Sequence, residues 1–248
     1  MDKNIPTDNV KIFRLMEDVG LDEDTKICQY LNLDYLLALL KTGKYYVNRK
    51  QVFADKRESS LPLKLIFSEF TIPGGKLSPA QEERSKKRQE SVHQFNKVSS
   101  YLLTSCWTEQ NSENALMWER GGERHKACIK STVGKFVSAI SETELTIWCG
   151  KIMYDPIFSA LMSDDILWYK QSYFSDEREI RFYFSKDLDQ ITPDDDQLNH
   201  KKFSVDTSTL IQEIILSPYI NDSAYEELKE TIEDKYKIHT TKSKIEIS

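Results

Sequence analysis

The pattern of apolar and polar positions predicts short strands and helices in an irregular order. Apolar stretches typical of strands lie at 26–31, 44–48, 100–107, 126–130, 144–154, 179–185 and 210–217. Apolar residues at helical spacing lie at 33–41, 113–119, 132–141 and 222–235. The order shows no regular strand–helix–strand rhythm and no glycine-rich phosphate loop. The pattern therefore predicts an α+β fold in which peripheral helices cover a mixed or antiparallel central sheet.

Polar stretches indicate how the chain is organised. Residues 1–25 are mostly polar and predict an N-terminal arm or a short helix, with an amphipathic patch at 10–19. Residues 26–248 predict a single α+β domain. A polar helical insertion is predicted at about 76–98, and Ser78 followed by proline is typical of its first turn.

The first helix carries both of its end signals. Asn32 is the predicted N-cap of the helix at 33–41, and Gly43 is the residue expected to end it. The strand at 44–48 follows after a short turn, so we expect it to pair with the strand at 26–31.

Composition excludes several classes of protein. Hydrophobic residues make up 39% of the 248 residues, and there are only 8 Gly and 7 Pro, which excludes a disordered or collagen-like chain. No apolar run approaches the roughly 20 residues that span a bilayer, and the first residues carry no secretion or import signal. The four cysteines lie far apart, and no histidine has a partner at zinc-ligand spacing. We therefore expect a cytoplasmic protein with no membrane partner and no bound metal.

Charge gives little support to a nucleic-acid partner. The chain has 34 Lys and Arg against 40 Asp and Glu, a net charge of −6, which argues against a broad nucleic-acid footprint. One basic run extends from Arg84 to Arg88 within the polar helix. The ordinary interpretation of this run is a solvated helix face, and contact with a polyanion is the alternative. Nucleic acid therefore stays a possible partner that the net charge does not support.

The segment Asp-Glu-Arg-Glu-Ile-Arg at 176–181 is the first candidate for chemistry. Side chains alternate along a strand, so Glu177, Glu179 and Arg181 are expected to share one side. Two carboxylates raise each other's pKa while a neighbouring guanidinium lowers it. Such a set suits binding or polarising a sugar hydroxyl. The structural alternative is an exposed ladder of ion pairs.

Two further segments combine strand ends with polar or aromatic residues. A strand ending near Ser105 leads into a short helix that presents Trp118, whose ring could stack on a base or a nicotinamide or simply belong to the core. Arg49, Asp55 and Glu58 follow the strand at 44–48, where ligand sites often lie, although loop salt bridges explain them equally well.

Several of these segments, in this order, resemble one broad prokaryotic family, the domain of unknown function 2971. They are KYYVNRKQVFADKRES, SCWTEQNSENALMWERGG, WYKQSYFSDEREIRFYF and IQEIILSP. The resemblance runs from about Ile27 to Ile247. That family usually has an arginine before the tyrosine of its first strand, where this chain has Gln29. The family label itself implies no activity.

The layout also resembles ADP-ribosyltransferase-like domains, more distantly. The resemblance places Gln29 or Tyr30 at the functional position of the first strand and Ser105 at the functional position of a later strand. Glu179 then corresponds to the catalytic carboxylate, with Glu177 before it as in a Glu-x-Glu motif. In such domains the carboxylate bonds the nicotinamide-ribose 2′-hydroxyl and stabilises a positively charged transition state.

The same resemblance implies NAD as the substrate. An aromatic residue such as Trp118 would then hold the nicotinamide, and Arg49 or Arg181 would hold the pyrophosphate. Because the segments at 164–165, 176–179 and 194–196 are acidic, a phosphate-bearing ligand needs an arginine in its cleft.

Three functions follow from these observations. The first is an NAD-consuming enzyme, a transferase onto a macromolecule or a glycohydrolase, acting in a bacterial antiviral or stress response. The second is a non-catalytic binding or sensor protein of a defence system, with a macromolecular partner that the sequence does not name. The third is a metal-dependent nuclease, with Asp55, Glu58, Glu177 and Glu179 as candidate ligands of Mg²⁺.

Overall fold

A computed structural model of the protein describes residues 10–12, 21–49, 78–99, 101–110, 113–119, 126–140, 145–154, 167–185 and 200–246. Its strands are β1 (Val10–Ile12), β2 (Lys26–Asn32), β3 (Lys44–Arg49), β4 (Leu103–Glu109), β5 (Lys126–Thr132), β6 (Thr146–Lys151), β7 (Met153–Tyr154), β8 (Tyr169–Lys170), β9 (Glu179–Ser185), β10 (His200–Ser204), β11 (Glu213–Leu216) and β12 (His239–Lys242). Its helices are α1 (Leu33–Thr42), α2 (Pro79–Ser99), α3 (Ala115–Glu119), α4 (Val133–Ala139), α5 (Thr207–Leu210) and α6 (Asp222–Tyr236), with a 3₁₀ helix at Ser172–Glu177.

The strands of the described residues form one large mixed sheet and a small pair. The main path of the sheet runs β1-β6-β9-β4-β2-β5-β11-β12, and β3 joins it through β4 and carries β10 on its other side. The β1–β6 and β11–β12 pairs are parallel, whereas the other pairs of this sheet are antiparallel. The prediction of an α+β fold with a mixed sheet and peripheral helices is confirmed.

One edge of β4 pairs with two different strands. The last residues of β4 pair with β2, where Thr108 faces Cys28, while its first residues pair with β3, where Leu103 faces Arg49. The predicted pairing of β3 with β2 is wrong. Both edges of β2 are already occupied, one by β5 and the other by the end of β4, so β3 bonds β4 and β10 instead.

One face of the sheet, which we call the core face, packs against helices. Phe136 of α4 lies at its centre, with its ring centroid 4.3 Å from that of Phe182 and 5.0 Å from that of Trp107. Leu36 of α1 and Ile232 of α6 belong to the same buried cluster. The opposite face carries smaller clusters, one around Trp168 and Tyr183 and one around Cys28, Cys128 and Trp118.

Most local predictions that fall on the described residues agree with this structure. The Asn32 side chain accepts a hydrogen bond from the Asp34 backbone at 2.8 Å, and Gly43 ends α1 in the left-handed conformation, as predicted. The polar helix is confirmed as α2. Within the patch at 10–19, the described residues form strand β1, which bonds the edge of β6, and the N-terminal arm or short helix over 1–25 stays a prediction. Across the described ranges, no helix has the length and apolar character needed to cross a bilayer.

Gly43 and Lys237 allow a paired test of the left-handed helix ends. Both have a φ of 59°, and a Cβ on Gly43 would lie 3.3 Å from the Val205 carbonyl oxygen. Because a side chain costs about 1–2 kcal/mol in this conformation, we expect Gly43→Ala to lower the free energy of unfolding by about that amount. Lys237→Gly should raise it by about 0.5–1 kcal/mol. Urea unfolding measures both changes, and shifts of the same sign would contradict the expectation.

Candidate active site

Four charged side chains meet where β9 begins. They form the carboxylate–cation cluster: Lys170, Glu177, Glu179 and Arg181. The 3₁₀ helix ends at Glu177, and Arg178 then adopts a positive φ of 43°, which turns the chain into β9. This turn brings Glu177 to the same side of the sheet as Glu179 and Arg181, and β8 supplies the lysine.

Lys170 and Arg181 bind the two carboxylates closely. The Lys170 Nζ donates to Glu177 Oε2 at 2.6 Å and to Glu179 Oε2 at 3.0 Å. The Arg181 Nε donates to the other oxygen of Glu179, Oε1, at 2.7 Å. Both oxygens of Glu179 are therefore engaged by cations. Glu177, Glu179 and Arg181 share one side as predicted, although Glu177 belongs to the 3₁₀ helix and not to the strand.

The cluster is buried, which excludes the alternative of an exposed ion-pair ladder. Glu179 is 3% exposed and Arg181 is fully buried. Burial by itself raises the pKa of Glu179, but the positive charges of Arg181 and Lys170 outweigh it and lower this pKa to about 2. Glu179 is therefore a carboxylate anion at every ordinary pH.

Backbone and tyrosine groups hold the cluster in place. Arg181 Nη1 also donates to the Leu167 carbonyl oxygen at 3.2 Å and to the Tyr183 hydroxyl at 3.0 Å. The Tyr154 hydroxyl accepts the Glu179 backbone N–H at 2.9 Å. The Lys170 Nζ lies 4.7 Å from the centroid of the Phe174 ring. The charges thus sit in a fixed frame, which is the condition for electrostatic preorganisation.

An open cleft lies directly beside Glu177. We call it the Asn114 cleft, and it consists of two adjoining cavities of about 290 and 300 Å³. Asn114, Leu116 and Asp176 line both cavities. The first cavity is also lined by Met117, Glu119, Tyr173, Phe174 and Glu177. The second is also lined by Thr108, Glu109, Gln110, Glu113, Ala115 and Arg178.

Tyr30 and Trp118 lie behind the wall of this cleft. The Tyr30 hydroxyl accepts the Asn114 backbone N–H at 2.9 Å and the Gln110 side-chain amide at 3.2 Å. The Trp118 ring packs edge-on against Tyr30, with 4.9 Å between centroids, and is 1% exposed. Burial raises the pKa of Tyr30 well above its usual range, so the phenol stays neutral. The buried Trp118 ring supports Tyr30 and through it the Asn114 wall, and the roles assigned to Tyr30 and Trp118 by resemblance stay predictions.

Gln29 and Ser105 lie on the core face, away from the cluster. The Tyr45 hydroxyl bonds both of them, at 2.9 Å from Gln29 Oε1 and 2.7 Å from Ser105 Oγ. The Gln29 amide donates to the Cys106 carbonyl oxygen at 3.0 Å. In the β4–β9 register, Cys106 and not Ser105 faces Arg181, so Ser105 points to the other side of the sheet.

Arg49 also lies away from the cluster. Its guanidinium donates to the Tyr101 carbonyl oxygen at 3.0 Å, and its strand partner is Leu103. Leu103 lies five residues along β4 from Thr108, the partner of Glu179, which is about 17 Å at strand spacing. The site roles assigned to Gln29, Ser105 and Arg49 by resemblance stay predictions. Asp55 and Glu58 lie outside the described residues.

Sequence reasoning missed Lys170, Asn114 and Gln110. Lys170 belongs to a two-residue strand without any motif, and Asn114 meets Tyr30 across 84 positions of sequence. Neither residue gives a local signal in the sequence.

In the part of the chain that the structure describes, no group of three or more His, Cys, Asp or Glu could hold a metal ion.

Comparison with known proteins gives only remote likenesses. No protein-family profile matches the chain, and no curated protein matches it. Thermus sp. 2.9 DarT in complex with NAD+ is similar at 13% identity and a TM-score of 0.40, over 91% of this chain and 98% of that one. The same protein in complex with ADP-ribosylated ssDNA is similar at 12% identity and a TM-score of 0.38, over 90% and 96%. Likeness at these values supports no inference about function.

Proposed function

We propose that this protein cleaves the bond between nicotinamide and ribose in NAD, transferring ADP-ribose to a macromolecule or to water. The observation that carries the proposal is the carboxylate–cation cluster at the edge of an open cleft: Glu177 lines the cleft, while Glu179 is fixed behind it. We place the activity in the cytoplasm, in an antiviral or stress response.

Cleavage of the bond between ribose and nicotinamide requires a carboxylate that is held in a fixed position. As the bond between ribose C1′ and the nicotinamide nitrogen breaks, its electron pair moves to the nicotinamide ring and the ribose gains positive charge. A carboxylate that accepts a hydrogen bond from the ribose 2′-hydroxyl stabilises this charge. The acceptor then forms a bond to C1′ and releases a proton. The step resembles the cleavage of glycosides, where carboxylates flank the reacting carbon.

We assign different roles to the two glutamates. Glu177 lines the cleft, so we assign to it the contact with the ribose. Glu179 is buried, with both oxygens bound by Lys170 and Arg181, and acts as a positioning residue that holds Lys170. Lys170 in turn fixes the orientation of the Glu177 carboxylate through a 2.6 Å bond.

Other residues of the Asn114 cleft suit the rest of an NAD molecule. Tyr173 and Phe174 offer aromatic rings for the nicotinamide, and Tyr173 is 69% exposed. Arg178 is exposed and lines the second cavity, where its guanidinium could bind a pyrophosphate. Three acidic residues, Glu109, Glu113 and Asp176, also line that cavity and would repel a pyrophosphate. The positive charge of Arg178 is therefore needed to offset them.

The direct test measures nicotinamide release from NAD by the purified full chain. A second measurement follows transfer of a label on the adenosine part to macromolecules of a cell extract. The proposal expects nicotinamide release under at least one condition, and label transfer distinguishes a transferase from a glycohydrolase. A folded protein that gives neither product, with and without extract, would overturn the proposal.

Replacing Arg178 tests how the cleft admits an anion. We expect Arg178→Gln to raise the KM for NAD by about 10-fold, because one charge-assisted bond to phosphate contributes about 1.5 kcal/mol. The value of kcat should change little, because the charge of the pyrophosphate does not change as the bond breaks, so its bond to Arg178 is about equally strong in the ground state and the transition state. Steady-state kinetics on Arg178→Gln and on the remote variant Arg84→Gln give the comparison. An unchanged KM would remove Arg178 from the NAD site.

A further inference from the structure

A second, chemically different surface lies on β3 and β10. Side chains of the two strands alternate, and the outward ones form what we call the Tyr46 face: Lys44, Tyr46, Asn48, His200, Lys202 and Ser204. Tyr46 is paired with Lys202, Asn48 with His200 and Lys44 with Ser204. This face and the neighbouring cavity share no lining residue with the Asn114 cleft.

Aromatic rings and cations interleave on this face. The Lys202 Nζ lies 4.9 Å from the centroid of the Tyr46 ring, and the His200 ring centroid lies 5.3 Å from it. Tyr35 of α1 adds a second ring, 6.3 Å from Tyr46 between centroids. Tyr35 is 62% exposed and Tyr46 is 38% exposed. The two neighbouring tyrosines give this face a small exposed aromatic patch.

A cavity of about 220 Å³ opens between these rings. Its lining includes Tyr35, Tyr46, Lys44 and His200, with Gln29 and Tyr45 among its other residues. The Lys44 Nζ is placed at its edge by a 2.6 Å bond to Ser204. The cavity therefore combines aromatic side chains with the ammonium group of Lys44.

We propose that the Tyr46 face binds single-stranded nucleic acid, with a base stacked on Tyr46 and phosphates held by Lys44 and Lys202. Base stacking on exposed aromatic rings, together with lysines that follow the backbone, is how proteins bind single strands without reading their sequence. A duplex does not fit this chemistry, because its bases are stacked on one another. The proposal does not depend on NAD chemistry.

The distribution of charge supports a short footprint. The protein carries a net charge of −6, so an extended polyanion is repelled by the molecule as a whole. On this face, however, Lys44 and Lys202 are exposed, and Asp34 beside Tyr35 is an exposed carboxylate that opposes them. Tyr46 with Lys202 is therefore the centre of the site, and few phosphates are contacted.

The test is fluorescence anisotropy with labelled oligonucleotides of about 20 nucleotides, the length of one or two single-strand binding sites. The probes are oligo(dT), oligo(U) and a duplex, each at two salt concentrations. We expect both single strands to bind more tightly than the duplex. Equal or tighter binding of the duplex, or no binding of any strand at low salt, would overturn the proposal.

Variants locate the binding. Tyr46→Ala should weaken binding of the single strand by about 5- to 150-fold, the range given by 1–3 kcal/mol for each stacked base. Tyr46→Phe keeps the ring and should restore most of the affinity. Lys202→Ala should reduce the slope of log affinity against log salt by about 0.7, the value for one phosphate contact on a single strand.

Two controls separate this face from the rest of the surface. Lys229→Ala removes a lysine that also lies near a tyrosine ring, 5.7 Å from Tyr225 on α6, and should leave binding unchanged. Tyr173→Ala removes an exposed ring of the Asn114 cleft. If Tyr173→Ala weakens binding and Tyr46→Ala does not, the Tyr46 face is not the site. Competition by a mononucleotide as strong as that of the full strand would likewise overturn the proposal of a strand-binding surface.

Discussion

Glu177→Gln is expected to slow nicotinamide release by about 100-fold or more, which corresponds to about 2.7 kcal/mol of lost transition-state stabilisation. The substitution keeps the size of the side chain and removes its negative charge. The amide still offers an oxygen to Lys170, whose bond to Glu179 at 3.0 Å is untouched. The effect should therefore fall on kcat, with a smaller change in KM, because the positive charge on the ribose develops only as the bond breaks.

A remote carboxylate provides the matched control. Glu226→Gln makes the same chemical change on the exposed side of α6 and should leave both kcat and KM unchanged. Thermal unfolding of both variants shows whether the fold is retained. A folded Glu177→Gln protein with wild-type nicotinamide release would exclude Glu177 as the carboxylate that contacts the ribose.

The charged end of β9 was predictable because its signal is local. The alternation in Glu-Ile-Arg-Phe-Tyr-Phe places Glu179 and Arg181 on one side and Ile180 and Phe182 on the core face, as the structure has them. The sequence did not reveal that this charged side is buried. Burial depends on Lys170, which bonds both glutamates, balances their two charges together with Arg181, and comes from a separate short strand.

Pairing between distant strands was the least predictable part of the fold. The end signals of α1 are local and were read correctly from Asn32 and Gly43. The strand that pairs with β3 has no such local signal. It is decided by β5 and the end of β4, which occupy the two edges of β2. The same limit applies to the site. Asn114 reaches Tyr30 only through the assembled sheet, so the sequence predicts a role for Tyr30 but not its partner.

Arg181→Met is expected to lower the free energy of unfolding by about 3–5 kcal/mol, because it leaves a buried carboxylate without one of its two cations. Lys170 would then be the single cation of the cluster, bonded to both Glu177 and Glu179. Urea unfolding measures the change, and the exposed variant Arg84→Met should shift stability by less than about 0.5 kcal/mol.

A double variant that replaces both Glu179 and Arg181 distinguishes the stability lost with packing from the stability lost when a buried charge has no partner. In the double variant Glu179→Leu with Arg181→Met, Lys170 keeps its 2.6 Å bond to Glu177, so one cation again faces one carboxylate. Replacing a whole buried pair by apolar residues of similar volume is often neutral. We therefore expect the double variant to be more stable than Arg181→Met alone. A double variant as unstable as the sum of the two single changes would show that the pair does not act as a unit.

The dependence of stability on pH gives an independent measure of the same cluster. The pKa of Glu179 is lowered to about 2 from an ordinary value of 4.5, so the folded state binds its proton more weakly than the unfolded chain. The stabilisation from Glu179 is then fully present above pH 4.5 and is lost as the pH falls toward 2. Loss of Arg181 raises the pKa of Glu179, because the larger of the two favourable charges is gone. The acid-induced loss attributable to Glu179 should therefore be smaller in Arg181→Met than in the wild type, and acid unfolding curves that fall by the same amount over this range would contradict the assigned ion pair.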